Sequence, residues 1–111
     1  MRRGKVYYKD HFAGMVTETD EGVFVFQYDG HYVKEHPFEF ITFTMPVNDK
    51  PYVEKRLFPF FEGLIPEGWL LEIASKSWKI NRTDRMGLLL ACCQNCIGAV
   101  SIKPIPDEDG E

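Results

Sequence analysis

Cysteine is scarce in this 111-residue chain, and its three copies sit together as Cys92, Cys93 and Cys96. An odd, clustered count without an export signal argues against a disulfide framework. The C-x-x-C at 93 and 96 would need two further ligands to hold zinc, and the only histidines, His11, His31 and His36, lie far upstream without matching spacing. Use as small buried apolar residues is the expectation. Basic residues are also few: 13 Lys and Arg against 17 Asp and Glu, giving a net charge of −4. Arg2-Arg3 and Lys55-Arg56 are too short to form a basic stripe, so direct contact with nucleic acid is not expected. No apolar run approaches the roughly 18 to 20 residues that span a bilayer. Met1-Arg2-Arg3 is not followed by an apolar stretch, so no signal peptide is read and a cytoplasmic location is expected.

Catalytic patterns are missing too. There is no G-x-x-x-x-G-K, no G-x-G-x-x-G and no G-x-S-x-G. Glu62 and Glu67 are separated by a Pro- and Gly-rich stretch with no His or Lys base close in sequence. They are read as solubilising one edge and opposing the positive end of the following helix. The expectation is a protein that is not an enzyme and carries no cofactor and no metal.

What is present is organised around residues 58–69, which hold three Phe, Leu64, Ile65, two Pro and two Gly. Phe58, Phe60, Phe61, Leu64 and Ile65 recur at helical spacing and read as one buried face. Pro59 suits a first helical turn, while Gly63 and Pro66 cannot prolong it. Gly68 permits a change of direction before a second amphipathic segment opens at Trp69.

Upstream the pattern is sheet. Residues 5–9 and 12–19 are β-prone, with Gly14 marking a bulge or a close approach. Asp20-Glu21-Gly22 signals a hairpin turn. Residues 23–28 form the strongest strand, with Phe24, Phe26 and Tyr28 on one face. Residues 31–37 read as a polar, irregular loop bearing two surface histidines. Residues 38–44 alternate like a fourth strand that Pro46 stops. Downstream the pattern is helical: 53–64, then 69–79, then a segment capped by Thr83 or Asp84 and running to about Cys92. A last strand over 97–102 returns to the sheet, and residues 107–111 form an acidic tail. The expected fold is α+β in one domain over 1–111: a small antiparallel sheet of about four strands, then about three short helices, then the returning strand.

The second helical segment carries more apolar surface than one core needs. At about 100° per residue, Leu70, Leu71, Ala74 and Trp78 share one arc, while Trp69, Ile73 and Ile80 share another. The second arc is read as a partner surface. Trp69 leads it, held after the stiff Pro66-Glu67-Gly68 turn; it either folds back onto Phe61 or Ile65 or meets a partner, and the second is favoured because Trp is the residue most enriched in interface hot spots. Pro66, Glu67, Gly68, Trp69 and Ile73 are therefore the candidate partner-binding residues.

Two blocks resemble the N-terminal subdomain of HipA-type serine/threonine kinase toxins. Phe60-Phe61-Glu62-Gly63-Leu64-Ile65-Pro66-Glu67 is similar to that family's F-F-x-x-L-L-P-[DE]. Gly87-Leu88-Leu89-Leu90 with Gly98-Ala99-Val100-Ser101-Ile102 is similar to its D-L-L … G-A-V-x-L. Cys93 and Asn95 stand where the family commonly has Gly and then Asp. A chain of this length without a kinase body looks like HipS, the small separate protein of three-part HipBST systems. The resemblance implies an antitoxin that restrains a HipT-like kinase and meets a HipB-like DNA-binding protein through the complex. It leaves a second implication, a structural subdomain at the N-terminus of a longer HipA-like kinase.

Overall fold

A computed structural model describes residues 1–65, 76, 79–81, 83–93 and 99–105. Its frame is one antiparallel five-stranded sheet built from β1 (Arg2–Tyr8), β2 (His11–Glu18), β3 (Phe24–Tyr28), β4 (Tyr52–Glu54) and β5 (Val100–Ile105). The strand order is β4-β3-β2-β1-β5. Three described helices accompany it: α1 (Gly30–Glu35), α2 (Pro59–Glu62) and α3 (Arg85–Cys92). The expected α+β fold is the observed one, with the last strand returning to pair with the first.

The β1–β2 hairpin closes through two residues, Lys9 and Asp10, at φ of 50° and 70°. Positive φ at both central positions is the I′ geometry that suits strand twist. The pairing passes from Val6↔Gly14 to Tyr7↔Phe12, so Ala13 is the extra residue of a bulge beside Gly14. Gly14 also meets the expected close approach: a Cβ there would lie 2.4 Å from the Gln27 carbonyl oxygen. Gly22, at φ 81°, turns the chain into β3 as Asp20-Glu21-Gly22 suggests.

Four segments of the sequence reading need correction. Residues 31–37 are not an irregular loop, because most of them belong to α1, whose first amides are capped by the Asp29 carboxylate through the N–H groups of His31 and Tyr32. Residues 38–44 do not form a strand. Only Ile41 and Met45 enter the core, a spacing of four, which leaves the period-2 pattern without a face to serve. The fourth strand is instead Tyr52–Glu54, so the opening helix does not begin at Val53 but at Pro59. The final strand runs on to Ile105 through Pro104. An edge strand tolerates a proline because one row of its amides has no ladder partner. The expected helix over 69–79 and the tail over 107–111 lie outside the described residues.

The core forms on one face of the sheet. Val6, Val16, Phe26 and Ile102 are fully buried there beneath Phe61 of α2 and Met86, Leu88 and Leu89 of α3. Helix α3 approaches so closely that a Cβ on Gly4 would lie 2.7 Å from Leu90 Cδ2. Asp84 caps α3 as read, accepting from the Gly87 N–H, and the same carboxylate takes two hydrogen bonds from Arg2 at 2.9 and 2.7 Å. That pairing holds the Asp84 carboxyl below its usual range and raises the Arg2 guanidinium. A second fork, Arg85 to Glu62, ties α3 to α2. Among the described residues no helix is long and apolar enough to cross a membrane.

Candidate interaction surface

Residues 37–51 join α1 to β4 without a strand or helix of their own. Their backbone is pinned by three tyrosine hydroxyls. Tyr28 donates to the Met45 carbonyl and accepts from the Ile41 N–H at 3.1 Å. Tyr32 donates to the Glu39 carbonyl at 2.5 Å, and Tyr52 donates to that of Pro46 at 2.6 Å. Burial pushes the Tyr28 and Tyr32 phenols up to about 12, so both stay protonated donors at neutral pH. With Ile41 and Met45 drawn inward, Phe38 and Phe43 are left outside at 90% and 78% exposure. Two rings presented on an anchored loop lose little freedom when covered, which favours binding over collapse.

A groove of about 700 Å³ lies beside β4. Among the described residues it is lined by Val23, Val53, Glu54, Lys55, Arg56, Leu57 and Pro59. Its floor is apolar, and its charged rim sets the Glu54 carboxylate beside Lys55 and Arg56. A smaller hollow of about 210 Å³ touches Thr44, Met45, Tyr52, Phe58 and Phe60, so the pinned loop and α2 share a surface. The groove, the hollow and the exposed Phe38 and Phe43 rings make up the candidate contact surface of the described residues.

The residues singled out in the sequence, Pro66, Glu67, Gly68, Trp69 and Ile73, lie outside the described residues. The helix that leads to them is described: α2 is opened by Pro59, and Phe61 and Ile65 are buried at 0% and 3% exposure. Glu62 is not simply a solubilising group, since it forms the ion pair with Arg85 at 2.9 Å. Cys93 is fully buried with its Sγ 3.3 Å from the Leu64 carbonyl, and Cys96 lies outside the described residues. Among the described residues no group of three or more His, Cys, Asp and Glu is placed to hold a metal. The three histidines nevertheless border one small pocket, with the His11 and His36 rings 4.8 Å apart and His36 bonded to Glu39 at 2.6 Å. Phe38 and Phe43 were missed as surface residues. The signal against burial was their setting among Glu39, Thr42 and Thr44 ahead of Pro46.

The groove and the anchored rings sit on a small α+β sheet domain. The family model described as the HipA N-terminal domain matches residues 4–103. An uncharacterized protein of Haemophilus influenzae is 33% identical over 103 residues, covering 93% of this chain and 92% of that protein. A solved structure of the N-terminal domain of HipA toxin aligns with a TM-score of 0.72 and 26% identity, over 97% of this chain and 96% of that one. The chain belongs to the HipA N-terminal domain family.

Proposed function

We propose that this protein is a non-catalytic antitoxin that binds a HipT-like serine/threonine kinase and holds it inactive, in the cytoplasm. One observation carries the reading. The Haemophilus relative is matched over 92% of its own length, which leaves it no room for a kinase body. This fold therefore occurs as a small separate chain, the form an inhibitor acting on a separate kinase requires. In this reading Trp69 and Ile73 enter a groove of the kinase, and Pro66, Glu67 and Gly68 contact it too, with Glu67 meeting a basic site. A HipB-like DNA-binding protein joins through the complex. The test is phosphoryl transfer by the purified kinase in the presence of saturating chain, together with binding of a Trp69→Ala variant. Inhibition by the wild type and a loss of roughly 2 kcal/mol in binding for the variant, with an unchanged melt, support the reading. Undiminished kinase activity would overturn it.

A second reading has its own support in the likeness to the N-terminal domain of HipA toxin. In that reading the domain is the structural N-terminal part of a longer HipA-like kinase. The two are told apart by the mass of the native protein in cells and by whether a kinase is encoded in the same chain.

A further inference from the structure

The strand carboxylates all fall on one face of the sheet, and every strand cation but Arg2 falls on the other. Glu18 of β2 and Glu54 of β4 are paired across Phe24, and Arg2 pairs with Glu18, so both strand carboxylates belong to the face that the helices cover. The opposite face holds Arg3 and Lys5 of β1 and Lys103 of β5, with no carboxylate at any of its strand positions. Such a face is unexpected in a chain with 17 acidic and 13 basic residues.

Lys5 lies directly opposite Lys103 in the β1–β5 register. Like charges at that spacing work against strand pairing. Each ammonium leans over an aromatic ring of the same face: Lys5 is 5.9 Å from the Phe12 centroid, Lys103 is 5.1 Å from that of Tyr7, and the two rings are 5.8 Å apart. The floor continues through half-buried Met15 and Val25 to Val53, which is 56% exposed. None of the described helices lies on this side. Leu90 of α3 packs on Gly4, Phe61 of α2 on Phe26 and Tyr32 of α1 on Tyr28, all on the covered face.

We infer that this open face docks an acidic, apolar-centred patch on the kinase, an inference that rests on the reading given under Proposed function. Charge complementarity selects the occupant. Two copies stacked face to face would set Lys5 and Lys103 against themselves. A polynucleotide would meet a chain of net charge −4 and an apolar floor that offers nothing to phosphates. A protein patch with carboxylates around an apolar centre fits both the lysines and the Met15, Val25 and Val53 floor. Val23 and Val53 also line the groove that passes Glu54, Lys55 and Arg56 to Leu57 and Pro59 at the start of α2. A partner seated beside α2 thus reaches the open face around the β4 edge. Three strand spacings, about 14 Å, separate β4 from β1. That lies within one interface of about 800 Å² per side.

The experiment is kinase binding by surface plasmon resonance at low and physiological salt for the wild type, Lys5→Glu, and Lys5→Glu with Lys103→Glu. The single change converts the like-charged pair into an opposite one, so its melting temperature stays level or rises. The double change is expected to weaken kinase binding at least about tenfold, chiefly through the association rate, with a difference that shrinks as salt rises. Binding equal to a tight-binding wild type overturns this inference alone. A wild type that does not bind the kinase removes the antitoxin reading and this inference with it. Binding of a fluorescent single-stranded oligonucleotide that the double variant loses makes the face a nucleic-acid site and overturns the protein assignment. A wild-type dimer that the double variant abolishes overturns it in favour of a second copy.

Discussion

On the covered side of the sheet, Val6, Val16, Phe26 and Ile102 are fully buried, and glycines stand at 4 and 14, where a Cβ would lie within 3 Å of its neighbours. Directly behind them, on the same strands, Lys5, Met15, Val25 and Lys103 keep part of their surface in water. The same five strands therefore serve two physical demands. One face is selected by volume, because close packing penalises both a void and an extra methyl group. The other is selected by charge and by what it leaves available. The difference teaches where substitutions should act on stability and where they should act on binding.

The largest effect expected is from Phe61→Ala. Phe61 has no exposed surface, and its ring sits 5.3 to 6.0 Å from those of Phe26, Phe58 and Phe60. Truncation should cost about 3 to 5 kcal/mol, read by urea titration. A loss below about 1 kcal/mol would mean that the covered face is not selected by volume at its centre.

Next comes Tyr28→Phe, which keeps the ring and deletes the hydroxyl that holds residues 41 and 45. The Ile41 N–H and the Met45 carbonyl lose that partner, for about 1 to 3 kcal/mol. Amide hydrogen exchange should rise at Ile41 and not in β1. Exchange unchanged at Ile41 would show that the Tyr28 hydroxyl is not what holds that part of the loop.

Asp84→Ala should cost about 1 kcal/mol through the lost α3 cap. The Arg2 pair adds little, since both side chains are more than a third exposed. The sign of its pH dependence follows from the lowered carboxyl. The stabilisation is complete above the unfolded value of about 3.9 and is lost as pH falls through the folded value below it. Wild type and variant should converge in melting temperature at the acid end. A gap that persists there would place the effect in packing.

The smallest effect is expected from Phe38→Ser, with Phe38 at 90% exposure. Its change in stability should stay within about 0.5 kcal/mol. A larger loss would show that the exposed ring belongs to the core after all.

Legibility followed the same division. Phe24, Phe26 and Tyr28 announced β3 because a strand with one buried face must alternate, and Thr83 and Asp84 announced α3 because an unpaired first turn needs an acceptor, the role that Asp84 fills. Helix α1 was missed because six residues bury one large side chain, Tyr32, and leave no periodicity to read. Its one signal was Asp29, which follows the strand over 23–28 and caps the helix. Residues 38–44 misled because their alternation is real but their anchoring is not in it. The hydroxyls of Tyr28, Tyr32 and Tyr52 come from other elements and decide the path. The like-charged Lys5 and Lys103 pair was invisible for a related reason, since only the register of strands far apart in sequence brings the two together.

That register also has a consequence for the order in which the molecule is made. β1 leaves the ribosome before the other four strands, yet its outer row of amides finds a partner only in Val100–Ile105. The Lys9 N–H likewise waits for the Ala99 carbonyl, 2.8 Å away in the finished fold. At about 5 to 20 residues per second, the nascent strand spends on the order of seconds as an open edge. Through that interval Arg3 and Lys5 put positive charge on it, the kind of residue that discourages pairing between nascent chains. The charges that suit the finished face to a partner thus also guard the unfinished one.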